Sequence, residues 1–558
     1  MANRISRLLR DRILVLDGAM GTELHKRGLP AGVCPEQWCL TNPEAVAQIH
    51  RAYREAGADL VYTATFGANR LKLGQYGLTN ARQINRAMAA VAKGAVGRQG
   101  FVLGDMGPTG HFVEPFGDLP FDEAVGLFRE QAEGLLEGGV DGFVIETMMD
   151  IQEARAALIA VRELSESFVL VTMTYEKHGR TLNGTDPIAA LVTLQSLGAD
   201  AVGCNCSAGP DAMLAMIEAM KPHARVPLAA KPNAGLPRLE GEQTLFDMDA
   251  AAFAVHGRPF AAAGVNLMGG CCGTTPAHIA ALRQSLAGEQ PRPPVVQSLA
   301  AVSSARSAHF FVPPSPTAVV GSRLNAARNE DFRQAIAADE PGGIRQAVRA
   351  QEKEGAVLLQ VRAAAPGLEE KSALGMVLTT LSATARLPVM IDAGAPEALA
   401  TALRRYPGRA LVRTREWSEA LAQLLPLAVQ YGAMAVLRAP AQDDEALCRA
   451  ALKGNASLAR KMGFAKTDLV VELPVPGASP APEALKKLCR TIEWCEHLGY
   501  RTLVDLTGVT AETPERRRQL QAVLLGAAQA AGVDLVLLDP AVRELMDLRA
   551  AGDFLQGK

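Results

Sequence analysis

Two adjacent cysteines, Cys271 and Cys272, stand between glycines in the stretch NLMGGCCGTTPAH, directly after an apolar run and before a helix-like segment. A disulfide between neighbouring cysteines strains the peptide that joins them, so the doublet needs another partner. Cys206 ends an earlier apolar run, DAVGCNC. Three thiolates with one position left open make the ligand set of a catalytic zinc site. The pattern therefore predicts a metal-binding and catalytic centre at Cys206, Cys271 and Cys272.

Other interpretations of the cysteines stay open. Cys204 lies two residues before Cys206 and points the same way on an extended strand, so either thiol could be the ligand. We choose Cys206 because it is nearer the strand end. The doublet could also be a redox pair. Buried cysteines often act as small apolar side chains. We expect this of the five that lie without partners on helix-like or loop stretches, namely Cys34, Cys39, Cys448, Cys489 and Cys495.

The elements that must position the three thiols are repeated βα units, because short apolar runs alternate with helix-like stretches. Eight such runs occupy residues 13–17, 59–66, 101–106, 142–147, 168–175, 200–206, 227–233 and 263–270. Eight strands are what a closed (β/α)8 barrel requires, and its functional groups stand at the carboxyl ends of the strands. Cys206 on strand six and the doublet on strand eight would then share one rim.

The pattern stops between residues 286 and 316, where Pro and Ser accumulate, and this marks a domain boundary. Eight further runs follow at 318–322, 356–362, 388–393, 410–414, 433–439, 468–474, 502–507 and 534–540. The sequence thus predicts two (β/α)8 TIM barrels in tandem. Their bounds are 1–288 for the first barrel, 289–316 for a linker and 317–558 for the second barrel. Periodicity alone leaves an open, doubly wound sheet as the alternative.

Composition narrows the class of protein. A chain of 558 residues is too long for one ordinary core and suits two large domains. The charges of its 57 basic and 59 acidic side chains nearly cancel, so we expect neither a nucleic acid nor an anionic membrane surface as a partner. The start has no apolar signal segment and no run of about 18 apolar residues follows. We therefore expect a cytoplasmic protein, in which a cysteine cluster favours metal binding or catalysis.

The first domain resembles the homocysteine S-methyltransferase family, and most closely the homocysteine module of cobalamin-dependent methionine synthases. The motifs that carry this resemblance occur in order as LDGAMGTEL (16–24), TATFGAN (63–69), GDMGPTG (104–110), IETMMD (145–150), NCSAGP (205–210), KPNAGLP (231–237) and GGCCGTTPAHI (269–279). The resemblance implies a zinc ion on the thiolates of Cys206, Cys271 and Cys272, with homocysteine sulfur as the fourth ligand. The expected reaction is methyl transfer to that sulfur, which gives methionine.

The resemblance also implies how the rest of homocysteine is bound. Asp17 and Glu146 match acidic residues that hold the ammonium group. Backbone N–H groups of the GAMGT turn are expected to bind the carboxylate. The turn consists of Gly18, Ala19, Met20, Gly21 and Thr22. Asn233 matches an asparagine close to the metal, suited to the open position before substrate arrives.

One position departs from the family pattern. The residue two before Asn233 is typically acidic in the family, whereas here it is Lys231, which alters the charge expected around the zinc. Thr65, Phe66 and Asn69 are expected to line the barrel mouth, although the TFGAN stretch could equally serve loop packing.

The second domain resembles the pterin-binding barrel that follows the homocysteine module in the same family, through its strand order, its length and the stretch RYPGRALV. The pterin-contacting positions differ, and only Asp392 keeps its identity. Folate binding is therefore doubtful, because lost partners would leave buried polar groups unpaired. The mouth presents a candidate second ligand site of Asn325, Arg362, Asp392, Arg413, Arg438, Glu472 and Asp505. Either the arginines bind another anionic ligand, or these charges pair with one another in a retired site.

The methyl donor stays open. The sequence contains no Asp-x-His-x-x-Gly pattern, which resembles cobalamin-binding domains, so methylcobalamin is expected in trans, on a separate corrinoid protein or free. S-methylmethionine-type compounds and methylfolate are the alternative donors. A hypothesis from another class is a non-catalytic protein that keeps the zinc barrel for binding and uses the second barrel for docking.

Overall fold

The computed structural model describes residues 4–98, 100–206, 209–236, 238–240, 243–296, 298–312, 314–413, 419–440, 445–475 and 482–558. Four residues of the motifs and strands named above lie outside these ranges: Ser207, Ala208, Pro237 and Thr414. The chain divides into two compact units, Met1–Gln297 and Ser298–Lys558.

The described part of the first unit contains ten strands, and eight of them form a parallel barrel. The strands are β1 (Leu14–Val15), β2 (Leu60–Tyr62), β3 (Phe101–Met106), β4 (Gly142–Met148), β5 (Phe168–Met173), β6 (Ala201–Asn205), β7 (Leu228–Lys231), β8 (Arg238–Glu240), β9 (Gln243–Leu245) and β10 (Val265–Met268). The order in the sheet is β1-β10-β7-β6-β5-β4-β3-β2, and a parallel bridge from Leu16 to Leu60 joins its two ends. The short antiparallel hairpin of β8 and β9 follows β7.

Helices surround this barrel. They are α1 (Arg4–Asp11), α2 (Met20–Lys26), α3 (Pro35–Thr41), α4 (Pro43–Glu55), α5 (Arg70–Gly74), α6 (Ala81–Val96), α7 (Phe121–Glu137), α8 (Ile151–Arg162), α9 (Pro187–Ser196), α10 (Pro210–Met220), α11 (Ala250–Val255), α12 (Gly257–Ala263) and α13 (Pro276–Ser285), with a 3-10 turn at Lys221–His223. Since helices cover the strands from outside, a strand such as β5 is buried at every residue and its sequence is almost wholly apolar. Ile5 and Leu9 of α1 pack into the barrel interior against Leu14 and Leu267.

The second unit contains a closed parallel barrel in which the strands follow chain order from β13 to β20. Its strands, with a preceding hairpin, are β11 (Ala301–Ser303), β12 (Ala308–Phe310), β13 (Ala318–Asn325), β14 (Leu358–Arg362), β15 (Val389–Asp392), β16 (Leu411–Arg413), β17 (Met434–Arg438), β18 (Leu469–Leu473), β19 (Arg501–Asp505) and β20 (Leu535–Leu538). Its helices are α14 (Glu330–Ala337), α15 (Pro341–Lys353), α16 (Glu370–Thr384), α17 (Pro396–Arg405), α18 (Glu419–Gln430), α19 (Glu445–Lys461), α20 (Pro482–His497), α21 (Pro514–Ala530) and α22 (Arg543–Leu555), with 3-10 turns at Lys466–Asp468 and Leu506–Gly508.

Part of the range expected to be a linker is ordered against the second barrel. The β11–β12 hairpin places Val302 and Phe311 in the barrel interior with Val320 and Leu358. Arg409, which is 3% exposed, donates from Nη1 to the backbone oxygens of the segment at residues 299 and 301, at 2.7 and 2.9 Å. The hairpin could not be recognised in the Pro-rich sequence of residues 289–316, because each strand of the hairpin is only three residues long.

The prediction of two tandem (β/α)8 barrels is confirmed, and each predicted apolar run overlaps a barrel strand. The open, doubly wound alternative is wrong, because both sheets close on themselves. Within the described part of the chain, no helix combines the length and the apolar character needed to cross a bilayer.

Candidate metal centre and substrate pocket

Three cysteine thiols meet at the carboxyl ends of two barrel strands. Cys206 follows β6, and Cys271 with Cys272 follows β10. The three sulfurs all lie within 4.8 Å of one another, and Sγ of Cys206 is 3.9 Å from Sγ of Cys272. Around a tetrahedral zinc ion with Zn–S bonds of about 2.3 Å, sulfurs stand about 3.8 Å apart. The donor set and its spacing therefore fit a zinc ion.

Cys204 does not join this cluster. Its thiol is buried and lies 3.9 Å from the sulfur of Met220. The alternation that would point Cys204 and Cys206 the same way holds only for extended backbone, and Cys206 has a φ of +60°. This left-handed residue turns the chain out of the strand, which separates the two thiols.

Backbone contacts from the loop after β7 hold the cysteines in place. The N–H of Cys271 donates to the oxygen of Pro232 at 2.8 Å, and the N–H of Cys206 donates to the oxygen of Lys231 at 3.1 Å. Oδ1 of Asn233 accepts from the N–H of Cys272 at 3.1 Å. The resemblance placed Asn233 at the open metal position. In the structure this hydrogen bond to Asn233 stabilises the turn that carries the doublet.

Asn205 was missed in the sequence, although it directly precedes Cys206. It is fully buried, and its Nδ2 lies 3.9 Å from Sγ of Cys271. The same amide donates to Oγ1 of Thr147 at 2.7 Å, and its Oδ1 accepts from Oγ1 of Thr172 at 2.8 Å. Asn205 thus links the cysteines to β4 through Thr147 and to β5 through Thr172. An amide beside a ligand at a strand end was the only signal of this role.

A cavity of about 280 Å³ opens beside the thiols. The residues that the sequence predicted and that line it are Asp17, Gly18, Ala19, Met20, Gly21, Thr22, Phe66, Glu146, Cys206, Cys271 and Cys272. Two other predicted mouth residues serve loop packing. Oγ1 of Thr65 donates to the oxygen of Asp105 at 2.7 Å, and Oδ1 of Asn69 caps α5 by accepting from the N–H of Lys72 at 3.0 Å.

Buried charges dominate the polar side of this pocket. Nζ of Lys231 donates to Oδ1 of Asp17 at 3.1 Å and lies 4.0 Å from Oε2 of Glu146. Asp105, another buried carboxyl group at the end of β3, was not predicted from sequence. Glu36 also lines the cavity, so the pocket contains four carboxyl groups and one ammonium group.

Burial controls the protonation of these groups. It raises the pKa of Glu146 to about 7 against the opposing Lys231 charge, and the Asp17 and Cys206 charges raise it further. Burial likewise raises the pKa of Asp17, which the Lys231 ammonium opposes. Hydrogen bonding to Cys206 and burial raise the pKa of Cys272 to about 12. Crowded thiols of this kind lose their protons when a metal cation offsets their charge.

At the mouth of the second barrel, one arginine pairs with three carboxylates. Arg413 donates to both oxygens of Glu472 at 2.7 and 2.6 Å, to Asp505 at 2.8 Å and to Asp392 at 3.2 Å. Although burial opposes it, these carboxylates hold the pKa of Arg413 above its ordinary value. Gln360 donates to the same oxygen of Asp392 at 2.9 Å. The carboxylates are thus occupied by the chain's own side chains.

The remaining members of the candidate second site lie around this cluster. Nε of Arg438, which is exposed, is 3.6 Å from Glu472. Nε of Arg362 donates to the oxygen of Ala364 at 3.3 Å. Oδ1 of Asn325 accepts from the N–H of Ala327 at 3.2 Å. These side chains therefore stabilise loops and charge pairs at the mouth.

Comparison with known families agrees with the geometry of the thiol cluster and its cavity. Residues 14–286 match the family described as homocysteine S-methyltransferase, and residues 321–539 match the family described as pterin binding enzyme. The first barrel is therefore similar to homocysteine S-methyltransferases, and the second barrel is similar to pterin binding enzymes. The three clustered cysteines and the cavity both lie in the part that matches the homocysteine S-methyltransferase family.

Relatives of the chain include two curated methionine synthases. The protein of Mycobacterium tuberculosis is 30% identical over 95% of this chain and 48% of its own length. That of Mycobacterium leprae is also 30% identical, over 95% and 47%. The chain thus spans about half the length of the curated relatives it matches. The metallated form of the homocysteine methyltransferase MmuM from Escherichia coli is 25% identical, with a TM-score of 0.43, over 50% of this chain and 98% of that chain.

Proposed function

We propose that the chain methylates the sulfur of homocysteine, giving methionine, at a zinc ion held by Cys206, Cys271 and Cys272. The observation that carries this proposal is the cluster of three sulfurs within 4.8 Å of one another beside a cavity lined by carboxyl groups. A zinc ion on three thiolates keeps one exchangeable position and lowers the pKa of a thiol that occupies it.

The residues around the cavity supply recognition of the amino-acid part. Oε2 of Glu146 is buried and has no hydrogen-bond partner in the described part of the protein, so it is suited to accept from the substrate ammonium group. Backbone N–H groups of the turn from residue 18 to 22, which lines the same cavity, are suited to the carboxylate. Binding at both ends fixes the sulfur for in-line attack on a methyl carbon.

The donor we favour is a methylated corrinoid on a separate protein that docks on the mouth of the first barrel. Large apolar side chains are exposed in the connections that follow β1, β2, β3, β5 and β7, where a docking surface would form. They are Val33, Tyr76, Phe116, Leu182 and Leu236, with exposures from 38 to 58%. Methylfolate is disfavoured because Arg413 engages the carboxylates at the second mouth. We also propose that the protein acts in the cytoplasm.

The test is methionine formation by the zinc-loaded chain with homocysteine and three donors, supplied separately: methylcobalamin, S-methylmethionine and methyltetrahydrofolate. Turnover with methylcobalamin supports the proposed donor. Cys206→Ala should lose bound zinc and at least about 100-fold in activity, because loss of a direct ligand costs no less than loss of a residue that supports one. Cys204→Ala is the matched control and should keep both. Bound zinc without turnover on any donor would favour the non-catalytic binding protein.

A further inference from the structure

Lys231 brings a positive charge into the pocket where a substrate ammonium group would bind. It ends β7, and its side chain is 4% exposed. Its Nζ is 3.1 Å from Oδ1 of Asp17 and 3.6 Å from the centre of the Tyr62 ring. The distance from Nζ to Oε2 of Glu146 is 4.0 Å, too long for a hydrogen bond. Because two ammonium groups repel, Lys231 and the substrate compete for the same carboxylates.

Asp17 and Glu146 differ in whether a carboxylate oxygen is left to accept a hydrogen bond from a ligand. Oδ1 of Asp17 accepts from Lys231, and its Oδ2 accepts from the N–H of Tyr62 at 2.7 Å. The Asp17 side chain is 2% exposed, so both oxygens are engaged inside the protein. Oε2 of Glu146 lacks a hydrogen-bond partner among the described residues, yet it lines the cavity. Of these two residues, Glu146 therefore keeps an acceptor for a ligand, whereas Asp17 does not.

We propose that Asp17 is a tether that holds the Lys231 ammonium away from Glu146, so that Glu146, rather than Asp17, binds the substrate ammonium group. The inference rests on the proposed function, because it concerns how the same pocket recognises homocysteine. Asp17 is then a positioning residue that acts through Lys231, and Lys231 determines specificity. This differs from the expectation that Asp17 and Glu146 share the ammonium group.

The tether predicts that loss of the Asp17 charge weakens binding of the substrate ammonium group. Without the Asp17 charge, the next carboxylate for Lys231 is Glu146, 4.0 Å away. Rotation about the terminal bonds of a lysine side chain closes such a gap, since its ammonium is a point charge on a flexible stem. The substrate ammonium would then have to displace Lys231. A thiol that lacks an amine would not.

A double-mutant cycle tests the tether. Isothermal titration calorimetry on the zinc-loaded full chain measures binding of homocysteine, of 3-mercaptopropylamine, which lacks the carboxylate, and of 4-mercaptobutyrate, which lacks the amine. Asp17→Asn should weaken both amine-bearing thiols by about tenfold, within the range of coupling between contacting residues, and leave 4-mercaptobutyrate within about threefold. In a Lys231→Met background, Asp17→Asn should change all three affinities by less than about threefold.

The opposite pattern overturns the tether. If Asp17→Asn weakens the amine-bearing thiols equally in both backgrounds, Asp17 binds the ammonium directly. Zinc content and thermal melting check that each variant folds. Lys231→Gln, which keeps a donor toward Asp17 without the charge, replaces Lys231→Met if the latter does not fold. Failure of the wild-type chain to bind any of the thiols would overturn the proposed function and this inference with it, whereas binding with additive losses would overturn the tether alone.

Discussion

Replacing Arg413 with methionine should destabilise the second barrel strongly. The Arg413 side chain is 7% exposed, and its guanidinium donates to three carboxylates, of which the side chains of Asp392 and Glu472 are each 2% exposed. Removing one partner of a buried ion pair typically costs about 3–5 kcal/mol, because a charge is left buried without compensation. Asp505 is 16% exposed and can be hydrated, so it adds little to this cost. We expect a loss of about 4 kcal/mol in the free energy of unfolding of this barrel.

The control is Lys486→Met, which removes the same charge from an exposed pair. Lys486 and Glu483 are 63% and 73% exposed and 2.8 Å apart, so its loss should cost less than about 1 kcal/mol. Hydrogen exchange in a urea series, followed by mass spectrometry on peptides from β14 to β19, reports unfolding of the second barrel. A loss for Arg413→Met no larger than that of the control would refute the reasoning.

The pH dependence gives an independent check on the same variant. Burial already raises the pKa of Asp392, which the charge of Arg413 opposes. Without Arg413 the folded state binds more protons than the unfolded state, so stability falls as pH rises from about 4 toward the raised folded pKa. The loss should therefore be smaller at pH 5 than at pH 8. An equal loss at both values would show that these carboxylates are not the cause.

Three further outcomes follow from the same geometry. Glu146→Gln should weaken homocysteine binding by about 10- to 100-fold, the value of a hydrogen bond to a charged group, and leave 4-mercaptobutyrate nearly unchanged by calorimetry. The ionised form of Glu146, whose pKa is about 7, binds the amine. The affinity for 3-mercaptopropylamine, divided by that for 4-mercaptobutyrate, should therefore fall about tenfold from pH 8 to pH 6. A ratio that does not change with pH would contradict this. Arg409→Met should lower the free energy of unfolding in urea by about 3–5 kcal/mol, since it leaves Asp468 buried without its partner at 2.6 Å. Unchanged protection from hydrogen exchange at the β11–β12 hairpin would contradict this.

The sequence predicted most of the fold because its signals are local. Parallel strands buried on both faces are nearly continuous apolar runs, so residues 168–175 could be recognised as a strand without any knowledge of their neighbours. The thiol cluster followed in turn, because strand ends in this fold share one rim. Cys206, Cys271 and Cys272 were therefore brought together from chain position and residue type.

Contacts that depend on the backbone conformation of a single residue, or on residues far apart in the sequence, could not be predicted. The left-handed backbone at Cys206 decides that Cys204 points elsewhere, and nothing in the strand pattern signals it. The pairing of Lys231 with Asp17 joins residues that are 214 positions apart. The sequence flagged Lys231 as a change in charge, but only the structure gives the carboxylate that it engages.

X-ray absorption at the zinc edge of the zinc-loaded full chain tests the central claim most directly. The thiolates of Cys206, Cys271 and Cys272 should give one zinc per chain with three sulfur neighbours at about 2.3 Å, and a fourth sulfur on addition of homocysteine. Cys204→Ala should give the same spectra. A zinc environment with fewer than three sulfurs, or one that homocysteine leaves unchanged, would contradict the account.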